Sequence, residues 1–230
     1  MVPESSDFLP LSLTRDIDDF PIGNIPIGEH RRLAGAWLDD AGEIRYPWDL
    51  LRANELYVAG LTESRIEGEV HPLAVIEGVL HLGKGSRILP GVFIEGNVVI
   101  GENCKIGPNC YIRGNTSIGD NCHIGQSVEI KNCVILSRSN VGHLSYIGDS
   151  ILGEGVNLGA GTTTSNLRHD GKNHRTMING KLVDTGRRKF GAIIADGVHT
   201  GINTSIYPGR KLWPNVTTRP GEIVQHDITA

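Results

Sequence analysis

Ile100-Gly101-Glu102-Asn103-Cys104-Lys105-Ile106-Gly107-Pro108-Asn109-Cys110-Tyr111-Ile112 places an isoleucine at every sixth position and a cysteine four residues after each of the first two. Upstream, Val70, Ile76, Leu82, Ile88 and Ile94 keep the same phase. Downstream, Ile118, Ile124 and Ile130 do so too, eleven apolar positions in all without a slip. A second column of small or apolar residues follows four positions behind: Ala74, Leu80, Ser86, Val92, Val98, Cys104, Cys110, Thr116, Cys122, Val128 and Val134. Leu82, Ile100, Ile106, Ile118 and Ile124 are each followed by glycine, as is Leu158. Neither a 3.6-residue helix nor a β-meander repeats every six residues; a chain wound into a parallel β-helix does, with one short strand and one turn per hexad. Its interior is filled by the two columns, so function must lie on the outer wall.

The composition agrees with a narrow solenoid. Aromatic residues make up only 5% of the 230 residues, and 30 glycines supply corners where positive φ is needed. A net charge of -4 without a long run of one sign argues against a general nucleic-acid binder. No apolar stretch long enough to cross a membrane and no basic-then-apolar N-terminus is visible, which predicts a soluble, cytoplasmic chain with no membrane partner. Of the four cysteines, Cys104, Cys110 and Cys122 fall on the inward column, as buried small hydrophobes rather than metal ligands or disulfides.

Residues 1–65 do not share the period and are read as an N-terminal cap or linker segment that covers the first coil. Within it, Tyr46-Pro47-Trp48-Asp49-Leu50-Leu51-Arg52-Ala53-Asn54 predicts a short helix, with Pro near the first turn and Asp complementing the dipole. Gly35 to Ile44 predicts a small hairpin with a polar turn. Residues 66–230 form the β-helix. The repeat loses register between Leu136 and Leu158, and the polar run near 163–190 is a long loop ejected from the coil. The period resumes at Ile194, Thr200, Ile206 and Leu212. Long loops inside a compact fold are usually functional, so the interruptions point to the site.

The blocks Gly142-His143-Leu144-Ser145-Tyr146-Ile147-Gly148-Asp149 and Val156-Asn157-Leu158-Gly159-Ala160-Gly161-Thr162 stand beside the hexads. Together they resemble the acetyltransferase domain of bifunctional sugar-1-phosphate nucleotidylyltransferase/amino-sugar-1-phosphate acetyltransferases. The runs Ser165 to Lys172 and Lys181 to Lys189 are more similar to the archaeal branch. The resemblance covers the chain from about Arg45 to the C-terminus. It implies a left-handed parallel β-helix with three hexads per coil, an all-β trimer, and acetyl-CoA as donor. It also implies glucosamine 1-phosphate or galactosamine 1-phosphate as acceptor, feeding UDP-N-acetyl-sugar synthesis. The left hand runs against the usual crossover rule.

An amine attacks a thioester only when unprotonated, and histidine is the side chain suited to take its proton near neutrality. His143 matches the family's catalytic base. Tyr146 and Asn166 match substrate-binding positions, and Asn157 matches a residue that orients the acetyl group or sugar amide. Backbone N–H groups near Ala160 are placed to stabilise the oxyanion. With three hexads per coil, Arg113 and Lys131 stack on one outer face about 4.8 Å apart. Such a like-charge ladder favours an anion between them, here the acceptor's phosphate. Glu95 occupies the same column and can pair with Arg113 but not with Lys131. Lys172 matches another sugar-phosphate contact, and Arg175 stands where the archaeal branch has a second basic residue. Arg187, Arg188 and Lys189 are candidates for the phosphates of coenzyme A.

The family's N-terminal nucleotidyltransferase domain needs a Gly-rich, Arg-containing phosphate loop. Pro21-Ile22-Gly23-Asn24-Ile25-Pro26-Ile27-Gly28 is not one, so no nucleotidyl transfer is expected, and a separate nucleotidyltransferase is a candidate partner. Two other readings compete with the acetyltransferase. A zinc hydratase on the same fold would need three converging histidines. His169 and His174 offer two in the irregular loop, with no third in register, so no metal is expected. A non-catalytic trimeric relic would have no reason to keep the side chains named above.

Overall fold

The computed structural model describes residues 5–33 and 40–229. Its main body is a parallel β-helix with three faces visited in turn, each face a ladder of two- to four-residue strands. The first face runs from Arg65–Ile66 through Leu80–Leu82, Val98–Ile100 and Thr116–Ile118 to Lys211–Leu212. The second runs from Glu69–Val70 to Asn157–Leu158, and the third from Val75–Glu77 to Ile223–Val224. The hexad isoleucines stack in register from coil to coil, as in Ile94, Ile112 and Ile130 on the third face. They fill the interior with Cys104, Cys110, Cys122, Val92 and Val128. Full burial of each such side chain contributes about 1.5–3 kcal/mol, which is why one apolar column per face suffices to hold the coil. Corners fall to asparagine as well as glycine: Asn103, Asn109 and Asn121 sit at φ 54°, 51° and 57°, the left-handed region that asparagine tolerates best after glycine.

Register is kept, not lost, between Leu136 and Leu158. Ile118, Ile135 and Leu152 are paired neighbours on the first face, because two turns, Ile130 to Ile135 and Ile147 to Leu152, are one residue shorter. Where the regular coil turns on Gly114 and Asn115, the short ones turn on one left-handed residue, Asn132 (φ 52°) or Asp149 (φ 50°). The shortening also corrects one column assignment. Cys133 enters the interior, its N–H 3.3 Å from Thr116 Oγ1, and Val134 turns to the outer wall. All four cysteines are buried and free, and burial pushes the Cys110 and Cys133 thiols up to about 12.

Val134 is one of a stripe of outward apolar residues on the first face, with Leu136, Ile151, Ile193 and Ala195. The N-terminal segment covers this stripe with Phe8, Leu11, Phe20, Ile22, Trp48, Leu50 and Leu51. It therefore lies along the wall of the solenoid rather than over the first coil, where Ile66 stays 53% exposed. The reason is area: the stripe offers a continuous apolar surface, the end of the coil only a short edge. Of the hairpin expected at Gly35 to Ile44, residues 34–39 lie outside the described residues, and Asp40 and Ala41 are helical. A hairpin forms instead at Pro21–Ile22 and Ile25–Pro26. Gly23 and Asn24 are both at positive φ (55° and 65°) in its two-residue turn, the geometry favoured between twisted strands.

The helices α1 (Ile27–Arg32) and α2 (Pro47–Ala59) follow. The second starts where the sequence predicted, with Pro47 in its first turn and the Asp49 carboxylate accepting the Tyr46 N–H at 2.8 Å. It is pinned to the solenoid by the buried Asn54, whose Nδ2 donates to Asn115 O (2.8 Å) and whose Oδ1 accepts from Gly23 N–H (2.9 Å) and Ser117 Oγ. Trp48 is 5% exposed, stacked on Tyr46 at 4.5 Å and edge-on to Phe190 at 6.1 Å. Trp48→Ala is expected to lower stability by about 3–5 kcal/mol, read as the change in urea midpoint; a loss under ~1 kcal/mol would mean the segment docks by other contacts.

The ejected loop leaves the third face after Thr163–Thr164 and returns to the first face at Ile193–Ile194. It is not irregular throughout, since Arg175–Ile178 and Lys181–Asp184 pair as an antiparallel hairpin. Thr176 Oγ1 fastens this hairpin to Gly209 O at 3.1 Å. Beyond it the period resumes as read, with Ile194 on Leu152, Ile206 on Thr164 and Leu212 on Ile194. Among the described residues no helix is long and apolar enough to cross a membrane.

Candidate active site

The outer wall of the third face carries two parallel columns. One reads Tyr111, Glu129, Tyr146, Thr163 and the other Glu95, Arg113, Lys131, Gly148, each in register with the next. Arg113 and Lys131 are therefore direct neighbours, as the eighteen-residue spacing required. Both cations have partners the sequence did not disclose. Lys131 Nζ donates to both carboxylate oxygens of Asp149, at 2.9 and 3.2 Å. Arg113 Nε lies 3.5 Å from Glu129 Oε1, while Glu95 accepts from the Tyr111 hydroxyl. Repulsion between the two cations is thus relieved within the protein, not left for a ligand alone.

Asp149 is the residue that sequence reasoning missed. It is 2% exposed, and besides Lys131 it accepts from Asn132 Nδ2 (3.0 Å) and Asn166 Nδ2 (2.6 Å). Asn166 Nδ2 also donates to the Tyr146 hydroxyl oxygen at 3.0 Å. Lys131, Tyr146 and Asn166 are thereby brought into one cluster from positions 35 residues apart in the chain. Gly148 makes room for it: a Cβ there would lie 2.5 Å from Tyr146 Oη and 2.8 Å from Asn166 Nδ2. Burial, then the charges of Asp149 and Glu129, raise the Tyr146 phenol above its ordinary pKa, so it stays a neutral hydroxyl.

His143 ends the strand Asn140–His143 at the corner from the second face to the third, with two residues between it and Tyr146's strand, and its side chain is exposed. One coil on, Gly161 N–H donates to His143 O at 3.1 Å, so Ala160 flanks the histidine. The N–H groups of Gly159, Gly161 and Thr162 are already donated to Thr200 Oγ1, His143 O and Gly159 O. Asn157 stands exposed on the second face, in register with Asn140.

Of the remaining candidates, Lys172 and Arg175 belong to the ejected loop that also carries Asn166 and line a cleft of about 800 Å³ with Arg168 and Arg210. Arg187 is ion-paired with Glu55 of α2, while Arg188 and Lys189 are exposed. The Arg187 guanidinium donates from both terminal nitrogens to the Glu55 carboxylate. His174 is 2% exposed and donates from Nε2 to the Asn166 carbonyl at 3.1 Å, which fixes the loop that carries Asn166. Exposed His169 lies along another cleft, with Leu167 and Tyr207. Among the described residues no three His, Cys, Asp or Glu side chains converge to hold a metal ion.

Burial lowers the His174 pKa below the ordinary histidine value of 6.5, and burial beside Lys105 and His143 does the same for His123. The unfolded chain then binds more protons than the folded one below about pH 6.5. The stability these groups contribute is present above that pH and lost as pH falls through their folded values. The thermal midpoint is expected to drop between about pH 6.5 and 5, with a shallower drop in His174→Gln. An identical slope in that variant would remove His174 as a cause.

Residues 94–220, more than half of the chain, match the family described as GMPPB C-terminal domain. The chain is 39% identical over 209 residues to a bifunctional sugar-1-phosphate nucleotidylyltransferase/acetyltransferase of Sulfurisphaera tokodaii, covering 89% of this chain and 51% of that protein. It is 48% identical over 196 residues to a bifunctional protein GlmU of Methanococcus maripaludis (85% and 46%). A GlmU of Methanococcus aeolicus is 42% identical over 197 residues (86% and 46%). The chain thus spans about half the length of these curated relatives. The hexad solenoid and these matches together establish that the chain belongs to the GMPPB C-terminal domain family, with the hexapeptide-repeat acetyltransferase domain of bifunctional sugar-1-phosphate nucleotidylyltransferases among its relatives.

Proposed function

We propose that this protein is an acetyl-CoA-dependent N-acetyltransferase acting on an amino-sugar 1-phosphate, glucosamine 1-phosphate first and galactosamine 1-phosphate as the alternative epimer. The observation that carries the reading is the placement of exposed His143 one corner away from the polar cluster of Tyr146, Asn166 and Lys131. A proton acceptor beside hydroxyl, amide and ammonium groups is what an amino-sugar phosphate requires. The relatives' names supply acetyl transfer and a sugar 1-phosphate.

In this reaction His143 takes a proton from the acceptor ammonium, and the free amine attacks the thioester carbonyl carbon. The carbonyl oxygen becomes an oxyanion facing the Ala160 N–H. The nitrogen releases its surplus proton to solvent, the intermediate collapses by breaking the C–S bond, and the leaving coenzyme A thiolate takes up the proton that His143 holds. Tyr146 and Asn166 hold the sugar hydroxyls, and Asn157 orients the acetyl group. Arg113 and Lys131 hold the phosphate, with Lys172 and Arg175 reaching it from the ejected loop. Arg188 and Lys189 meet the coenzyme's phosphates. The working unit is a homotrimer, in which outer faces of neighbouring subunits meet around the site.

The test is thiol release from acetyl-CoA with each sugar 1-phosphate offered to the purified chain. Turnover with one of them, matched by N-acetyl-sugar phosphate in the product, is the expected result. No turnover with either, on folded protein, would overturn the reading.

A further inference from the structure

The Asp149 carboxylate sits at the turn between two strands of the solenoid and is almost wholly buried. Its own backbone is fixed on both sides, N–H to Lys131 O and C=O from Gly191 N–H, both at 2.8 Å. All its side-chain partners are donors: the Lys131 ammonium and the amides of Asn132 and Asn166. Two of those donors, Lys131 and Asn166, belong to the candidate acceptor pocket. The third, Asn132, donates also to Glu55 of α2, which in turn holds Arg187 through both guanidinium nitrogens. A continuous run of charge-assisted contacts therefore leads from the N-terminal helix into the pocket.

We propose that Asp149 is the positioning residue of the acceptor pocket, setting Lys131 and, through Asn166, Tyr146, and that Glu55 of the N-terminal helix holds it in place through Asn132. The inference rests on the acetyltransferase reading only for the kinetic part of its test. Neither carboxylate touches the acceptor. Asp149 neutralises Lys131 enough to let the ammonium rest beside Arg113, and it turns the Asn166 amide so that its N–H reaches Tyr146. The N-terminal segment thereby becomes part of the site's support, not only a cover for the apolar stripe.

The test combines kinetics with ultraviolet titration of tyrosinate in the wild type, Asp149→Asn, Glu55→Ala and Glu55→Gln, with Tyr146→Phe to identify the Tyr146 transition. Asp149→Asn is expected to raise the KM for the amino-sugar 1-phosphate about tenfold or more, leaving the KM for acetyl-CoA within about twofold. The Tyr146 transition moves to lower pH, because a nearby negative charge is gone. Glu55→Ala is expected to shift the acceptor KM in the same direction by about threefold, and Glu55→Gln, which keeps a carbonyl acceptor for Asn132, restores it. If Asp149→Asn does not fold, the Glu55 pair decides. An unchanged acceptor KM in the folded variants, or equal loss for acceptor and acetyl-CoA, would overturn the proposal. Should the wild type turn over no amino-sugar 1-phosphate, the acetyltransferase reading fails separately. The titration still decides here: an unmoved Tyr146 transition in Asp149→Asn sinks the positioning role.

Discussion

His143→Ala is expected to lower the rate of acetyl transfer by about 10²–10⁴-fold, the range that a positioned general base contributes. The loss should appear in kcat with little change in the KM for acetyl-CoA, because a general base acts on the proton in flight and not on the donor's binding. The residual rate should climb steeply with pH, since solution chemistry then supplies the free amine the imidazole no longer generates. Steady-state thiol release over a pH series measures both. A variant that keeps more than about a tenth of the wild-type rate would remove His143 as the base. The prediction is sharp because the ring is exposed at a corner of the wall, so its removal leaves no cavity in the core.

The second large effect concerns the backbone under that histidine. Gly125 lies one coil below Gly142, and a Cβ at 125 would stand 1.9 Å from Gly142 O and 2.7 Å from its carbonyl carbon. Backbone cannot swing aside as a side chain does, so in Gly125→Ala the strand Asn140–His143 must shift. The expected cost is about 1–3 kcal/mol of stability, as for other overpacked interiors. Activity should fall further than stability suggests, by about 10²-fold, because a displacement near 1 Å of a catalytic group is enough for that. Urea unfolding and kcat on the same preparation separate the two. Normal kcat with normal stability would mean that the coil absorbs the insertion without moving His143.

Some of this was legible before any coordinates. The isoleucine phase from Val70 to Ile130 dictated a parallel solenoid, because only a coil that returns every few hexads gives each sixth residue the same interior neighbour. Cys104, Cys110 and Cys122 were placed inside by the same count, and Arg113 was placed beside Lys131 by the eighteen-residue coil. The helix at Tyr46 announced itself through Pro47 and Asp49, which act within one turn of their own position. These are local or periodic properties, and a linear string records them faithfully.

What the string did not record depends on contacts between distant segments. A one-residue shortening at Asn132 and Asp149 reads as lost register, because periodicity is counted along the chain while pairing is decided across it. The apolar outer stripe of Val134, Leu136 and Ile151 is indistinguishable in sequence from interior positions until the coil is closed. The cap's true seat followed from that stripe. Asp149 was visible inside a recognisable block, yet nothing local says that one carboxylate gathers Lys131, Asn132 and Asn166. Arg187 was legible as a cation and not as Glu55's partner, 132 residues away. The sequence by itself determined the winding of this protein and its candidate base, through repeats and local chemistry. Tertiary structure alone decided which charges are already satisfied, because neutralisation is a matter of distance in space and the coil sets that distance.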